Sequence, residues 1–406
     1  MERISRNGIE DGSEKFDADS IEQAIRERVR DTIELIVGEE LEAALGATVS
    51  ARVGEQRRGY RHGHRERTLS TSLGATTISM PRARIAAPKG ATAEWSSQTV
   101  RRYERRTQRV DEAILGVYLS GANTRRIKGA LSPLLRNAPL SKDAVSRLVG
   151  RLKGEFETWQ ARDLADEKVR YLFLDGWYPK VRIGRQRARV PVLVTMAVCA
   201  DGRRIVIDMR LAGEESAEGW GEVVQSLITR HVGRLKLAVI DGNPGLHEAL
   251  VKQWPHLKIQ RCTAHKLRNL VAKVPAALRE EVAEDYHRMI YAESPAAVEI
   301  ERKRFRAKWQ KHCAGVVTSL DEAGDELFTF LAFPTSQWRA LRTSNALERI
   351  NEEFRRRTKT QASLPNEDAV LLLLFGLLRS GQVTLRKIDG YDEMPNDTVV
   401  KEHQAA

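Results

Sequence analysis

The stretch VRYLFLDGWY (169–178) decides the fold. Its β-branched, aromatic and aliphatic residues fill the length of one strand, and Asp-Gly follows. Two more β-rich runs come next, RVPVLVTMAVCA (189–200) and RRIVIDMRLAG (203–213), parted by short basic or Asp-Gly turns. Beyond them SAEGWGEVVQSLITRHV (216–232) reads as an amphipathic helix and RLKLAVIDG (234–242) as a buried strand. NPGLHEALVKQW (243–254) is then a helix and HLKIQRC (256–262) a strand. Three strands in hairpin order, then strand-helix-strand-helix, predict a mixed α/β sheet covered by helices. Residues 264–332 carry no strand signal and read as wholly helical, and a last helix starts near 343 with NALERINEEFRRRTK.

On the N-terminal side, Ile21, Ile25, Val29, Ile33 and the pair Leu35–Ile36 recur at helical spacing and predict a helix over 20–46, ending near Gly46. TLSTSLGATTISMPRARI (68–85) alternates like a β-hairpin. GYRHGHRERT (59–68) holds two histidines with no Cys or further His nearby, so it reads as a solvated basic turn rather than a metal site. From 100 to about 164 the pattern is helical. VDEAILGVYLSG (110–121) stops at Gly121, and NTRRIKGALSPLL (123–135) joins SKDAVSRLVGRLKGEFETW (141–159) through RNAPL. Ser141 is a good N-cap for the second of these. A short-turn helix pair with a basic second member outlines a helix-turn-helix, and equally any helical bundle.

Charge sharpens this division. The 406 residues carry a net +12, but residues 1–50 alone hold 6 basic and 13 acidic groups, whereas residues 51–150 hold 20 and 7, a net of +13. A block that basic is a footprint for a polyanion, and the Arg-rich run RRYERRTQR (101–109) favours nucleic acid over a generically basic surface. The length suits two or three domains. The longest apolar run, AVLLLLFGLL (369–378), is too short for a bilayer, so no membrane role is expected. The acidic, polar N-terminus lacks the order of a signal peptide. Three scattered cysteines exclude a disulfide scaffold and fit a reducing cytoplasm.

Three carboxylates stand out chemically. Asp175 follows YLFL and Asp241 follows KLAVI, which puts both at the carboxyl edge of a sheet, where open α/β folds build their sites. Each precedes Gly, which leaves room for a bulky ligand, although Asp-Gly is also a common turn dipeptide. Glu348 lies in TSNALERINEEFRRRTK (343–359), with Asn345, Glu352 and Arg355 along the same helical face. Asn345 with Glu348 also reads as a capping box. Converging, the three carboxylates would hold two Mg²⁺ ions for phosphodiester chemistry. Cys262 and His265 form CTAH, half a zinc site with no second half, so a structural role is expected.

Together, YLFLDGWY, AVIDGNPGL, CTAHKLRN (262–269) and the Glu348 motif resemble the Mutator-like bacterial insertion-sequence transposases, the insertion sequence 256 family, over roughly residues 30–390. GYRHGHRERT and MPRARI resemble that family's N-terminal region. The resemblance implies an RNase H-like catalytic core with Asp175, Asp241 and Glu348 as its metal-binding catalytic triad, Cys262 and His265 as the family's C-x-x-H signature, and Mg²⁺, replaceable by Mn²⁺, as cofactor. The spacing of 107 residues from Asp241 to Glu348 would contain an all-helical insertion. The activity implied is 3′-end cleavage at terminal inverted repeats and strand transfer into target DNA by a homodimer or larger synaptic complex, in a bacterial cytoplasm at the nucleoid. The expected organisation is a helical region 1–60, a basic DNA-binding region 61–165, a core at 166–263 and 336–395 split by the insertion 264–335, and a tail 396–406. Expected DNA contacts are Arg101, Arg102, Arg105, Arg106, Arg125, Arg126, Lys142, Arg147 and Arg151, with Arg355, Arg356, Arg357 and Lys359 beside Glu348. Asn345 and Asn351 are expected to support that helix. Competing expectations are a non-catalytic DNA-binding regulator and a structure-specific nuclease or resolvase.

Overall fold

The computed structural model describes residues 18–49, 57–86, 91–119, 122, 124–135, 140–183, 185–212, 217–360, 366–381 and 383–394. They fall into two compact units, Met1–Tyr118 with Asn123–Leu148, and Leu119–Ala122 with Val149–Ala406.

The first unit opens with α1 (Ala18–Leu45), close to the expected bounds. Its inner face is carried by Val37, Leu41 and Leu45, packed with Ile78, Ala83 and Val100, while Ile21 and Ile25 are exposed. The hairpin of β1 (Gly59–Thr71) and β2 (Gly74–Ala86), edged by β3 (Thr92–Glu94), is longer than the sequence indicates. GYRHGHRERT is no turn: it pairs with β2 from Gly59↔Ile85 onward. Its charged residues hide a strand period that cross-strand pairing enforces. The register slips between Arg61 and His64, where Gly63 takes a φ of 109°. His62 faces Glu94 at 3.5 Å.

RRYERRTQR is irregular rather than helical up to α2 (Gln108–Leu119), because Arg67 fastens it by donating to the carbonyls of Arg101 and Glu104. The helices α3 (Thr124–Ala130), α4 (Ser132–Leu135) and α5 (Lys142–Ala161) follow. The Ser141 hydroxyl caps α5 as expected, accepting from the Ala144 N–H at 3.1 Å. Residues 136–139, the turn of the helix-turn-helix outline, lie outside the described residues, as do the side chains of Arg125 and Lys359.

The second unit is built on β4 (Val169–Trp177), β7 (Val192–Cys199), β8 (Arg204–Leu211), β9 (Leu237–Ile240) and β10 (Lys258–Arg261), after β5 (Lys180–Ile183) and β6 (Gln186–Arg189) have formed a separate ribbon where a basic turn was expected. Strand order is β10-β9-β4-β7-β8, with β4, β7 and β8 an antiparallel meander and β9 and β10 parallel to β4. The strand-helix alternation read from 216–262 is present: α6 (Ala217–Thr229) and α7 (Pro244–Gln253) cover one face. There Trp220, Leu227, Leu246 and Leu250 bury against Leu172, Leu174 and Ile240. Each such side chain contributes about 1.5–3 kcal/mol, so this sheet is a rigid base for whatever its edge carries.

The run after 262 is helical as expected: α8 (Thr263–Val271), α9 (Arg279–Ile290), α10 (Pro295–His312), α11 (Ala314–Ala323) and a 3-10 segment Gly324–Ala332, with its own core of Tyr286, Phe305, Trp309 and Leu320. Then come α12 (Trp338–Leu341), α13 (Asn345–Thr360) and α14 (Asp368–Arg379). The apolar AVLLLLFGLL forms most of α14 and is buried. Among the described residues no helix is long and apolar enough to cross a membrane.

Candidate active site

Period-two alternation along β4 sends Leu172 and Leu174 toward α6 and α7, and Tyr171, Phe173, Asp175 and Trp177 to the opposite face. Asp175 is only 6% exposed. Its Asp-Gly is not a turn, since β4 continues through it, with Asp175 opposite Val194 and Gly176 opposite Leu193. The last pair between the parallel strands β4 and β9 is Leu174↔Ile240. Asp175 and Asp241 are therefore the next residue on each strand, level with one another at the carboxyl edge, on strands about 4.8 Å apart.

Helix α13 closes over that face. Leu347, Ile350 and Phe354 form its buried stripe, and Phe354 meets Trp177 of β4 with ring centroids 5.9 Å apart. Asn351, expected as helix support, is 95% buried, and its Nδ2 donates to Asp175 Oδ2 at 2.9 Å. Among the described residues, its Oδ1 is buried without a hydrogen-bond partner.

Asp241 receives the Asn243 N–H on Oδ1 at 3.0 Å, and Asn243 in turn caps α7. The space expected beside Gly242 for a ligand is occupied. Gly242 has a φ of 104°, and a Cβ there would stand 2.1 Å from the Arg261 guanidinium. Arg261 is itself paired with Glu322 at 3.0 Å.

The C-x-x-H segment explains how Glu348 is placed. The Cys262 N–H donates to the Ile240 carbonyl at 2.7 Å, fixing it beside Asp241. Its Sγ accepts from the N–H and hydroxyl of Ser344 at 3.4 and 3.3 Å. The Ser344 carbonyl accepts the Leu347 and Glu348 N–H groups, so Ser344 is the N-cap and Asn345 the first helical residue. The capping-box reading of Asn345 with Glu348 fails for that reason: Glu348 stands one position too far along. Glu348 Oε1 instead accepts from Arg268 at 2.8 Å and lies 3.8 Å from His265 Nε2. Arg268 is 60% exposed, so this pair holds Glu348 by no more than about 1 kcal/mol.

His265 has its pKa pushed up to about 9, first by the Cys262 thiol, against burial, and further by the charge of Asp175. Burial pushes the Cys262 thiol up, but His265 and Ser344 outweigh it and hold the thiol below its ordinary value. Among the described residues, His265 Nδ1 is buried without a hydrogen-bond partner. Glu352 is exposed, and Glu353 makes a surface pair with Arg356 at 3.1 Å. Arg355 and Arg356 are exposed and Arg357 half-buried.

The structure thus sets Asp175 and Asp241 level at the ends of adjacent strands, bonds Asn351 to Asp175, and holds Glu348 against α8. Among the described residues, no three His, Cys, Asp or Glu side chains are already gathered into a metal cage. Sequence reasoning missed Ser344, Arg268 and the reach of Asn351 to Asp175. Only Asn351 left a signal, as an amide between the apolar positions 350 and 354. The expected contacts Arg101, Arg102, Arg105, Arg126, Lys142, Arg147 and Arg151 are exposed, whereas Arg106 is tied to Asp111 at 2.7 Å.

Fold and site together define an α/β protein with acidic residues at the carboxyl edge of a mixed sheet. The chain belongs to the Mutator family of transposases, matching the family described as "Transposase, Mutator family" over residues 5–384. It is 31% identical to the transposase for insertion sequence element IS406 of Burkholderia multivorans, over 84% of this chain and 85% of that one. Identity is 28% to the transposase for ISRM5 of Rhizobium meliloti, over 87% and 86%, and 28% to that for IS256 in transposon Tn4001 of Staphylococcus aureus, over 80% and 81%. Among solved structures, the Drosophila P element transposase strand transfer complex aligns with 74% of this chain and 86% of that one, at 10% identity and a TM-score of 0.30. A likeness that slight carries no argument.

Proposed function

We propose that this chain is a DDE transposase that binds the terminal inverted repeats of its element, cuts a 3′ end there and transfers the strand to target DNA. In this reading Asp175, Asp241 and Glu348 are its catalytic carboxylates, the five-stranded sheet is an RNase H-like core, and α8–α11 are a helical insertion into it. The observation that carries the reading is the register: two aspartates level at the ends of adjacent parallel strands, with the Glu348 helix bonded to one of them through Asn351.

The donor set fits a hard divalent cation, since the carboxylates and the Asn351 Oδ1, buried without a hydrogen-bond partner among the described residues, all offer oxygen. Bound there as a pair, Mg²⁺ or Mn²⁺ ions would polarise the scissile phosphate and activate the attacking oxygen. The chain's own part is positional. Asn351 fixes the rotamer of Asp175, the Asn243 N–H fixes Asp241, and the Cys262–Ser344 contact sets where α13 begins. Arg268 holds Glu348 by an exposed pair weak enough to yield. The exposed Arg355 and Arg356 supply positive charge beside the site for a phosphodiester backbone. Two element ends must be held together for joining, so the acting species is a homodimer or larger synaptic complex.

The test separates binding from chemistry. With a DNA fragment carrying the element's ends, Asp175→Ala and Asp241→Ala should bind like the unaltered chain and give no Mg²⁺-dependent 3′ nick. Variants that cut normally, or that lose binding together with cutting, would remove the aspartates from the catalytic role.

A further inference from the structure

The segment between β4 and β7 carries a surface that the reading above does not use. Three residues after Trp177, the chain enters the antiparallel ribbon of β5 and β6, paired Lys180↔Arg189, Val181↔Ala188, Arg182↔Arg187 and Ile183↔Gln186. Alternation sorts its two faces. Val181 is 2% exposed and Ala188 half-buried, so that face packs inward, where α13 lies against both β4 and β5. Lys180, Arg182, Arg187 and Arg189 are all exposed on the other face. Like charges directly opposite one another weaken an antiparallel pair. Here two cation pairs stand cross-strand in succession, and none of the four has an ion-pair partner among the described residues. By contrast, most cations of α10 sit against carboxylates, as Arg304 does against Glu301 and Arg306 against Asp321. A ribbon that concentrates unneutralised charge needs a polyanion to neutralise it.

We infer that the outer face of this ribbon is a phosphate clamp for duplex DNA lying across the Asp175 edge. The partner's chemistry follows from the residues. The face offers four cations and no amide or hydroxyl, which suits backbone contact rather than base reading. Its position follows from the chain, because the ribbon grows from the strand that bears Asp175 and rests on the helix that bears Glu348. The inference rests on the transposase reading and adds to it a contact that keeps the scissile phosphodiester at the carboxylates.

The experiment uses the full chain and a fluorescent 30-base-pair duplex of arbitrary sequence, with affinity measured across a series of salt concentrations. Each phosphate neutralised adds about 0.9 to the slope of log affinity against log salt. The variant K180Q/R182Q/R187Q/R189Q should lose about 3–4 from that slope and bind at least tenfold more weakly at moderate salt. R182Q/R187Q should lose about half as much slope. Removing four exposed cations from α10 (K303Q/R304Q/R306Q/K311Q) takes away the same charge and should change the slope by less than one. An unchanged slope in the ribbon variants, each melting like the unaltered chain, would overturn the clamp while leaving the transposase reading intact, as would equal losses in the α10 control. Failure of the unaltered chain to bind any DNA would overturn the reading itself, and the clamp with it.

Discussion

At the scale of single residues the site turns on Asp175 and Asn351. A hydrogen bond from a buried amide to a carboxylate is worth about 1.5–3 kcal/mol, far more than the exposed Arg268–Glu348 pair, so Asn351 and not Arg268 fixes the local geometry. Asn351→Ala should therefore slow single-turnover cleavage by roughly 10- to 150-fold, the same energy expressed as a rate, with DNA binding and fold unchanged. Asn351→Asp should be worse, because it sets a like charge against Asp175. A wild-type cleavage rate in Asn351→Ala would show that Asp175 needs no positioning. Glu348 and Glu352 are one turn apart on α13; Glu348 meets Arg268 of α8, whereas Glu352 is exposed. Glu348→Gln should abolish strand transfer, since a neutral amide lacks the charge a cation needs, while Glu352→Gln should retain it. Activity in the first with loss in the second would move the site one turn along the helix.

At the scale of elements, the site depends on how two loops meet the sheet. Gly242 combines a left-handed φ with a guanidinium packed where a Cβ would go. Gly242→Ala should then cost about 1–3 kcal/mol, lowering the melting temperature by roughly 2–4 °C for each kcal/mol. Gly150, inside α5 with open space around it, is the contrast: Gly150→Ala should be neutral or stabilise by up to about 1 kcal/mol. Thermal melts of the two variants decide this, and equal melting points would show that Gly242 is not under that constraint. The strands were legible where apolar runs were continuous, as at YLFL and LAVI, because buried parallel and central strands write themselves as unbroken hydrophobic stretches. Strands paired through charged residues were not, and both GYRHGHRERT and the Lys180–Arg189 ribbon read as basic turns. The carboxylates were legible because each aspartate follows such an apolar run. The Cys262–Ser344 contact was not, because it joins residues 82 apart through a thiol that local pattern says nothing about.

For the molecule as a whole, the charge distribution and the site point to one substrate. Residues 51–150 hold a net +13, more than the whole chain's +12, and further exposed cations lie on the ribbon and on α13. Affinity of the full chain for end-containing DNA should therefore fall by orders of magnitude over a few-fold rise in salt. A salt-independent affinity would contradict an electrostatic interface of this size. The central claim is that these carboxylates serve transfer of a DNA strand by its 3′-hydroxyl. The most direct measurement incubates the purified chain and Mg²⁺ with labelled, pre-cut element ends and a target duplex, and resolves the products on a denaturing gel. An end terminating in a 3′-hydroxyl should be joined to the target, and the same end terminating in a dideoxynucleotide should not. Cleavage products alone from the hydroxyl end, or joined products from the dideoxy end, would contradict the account.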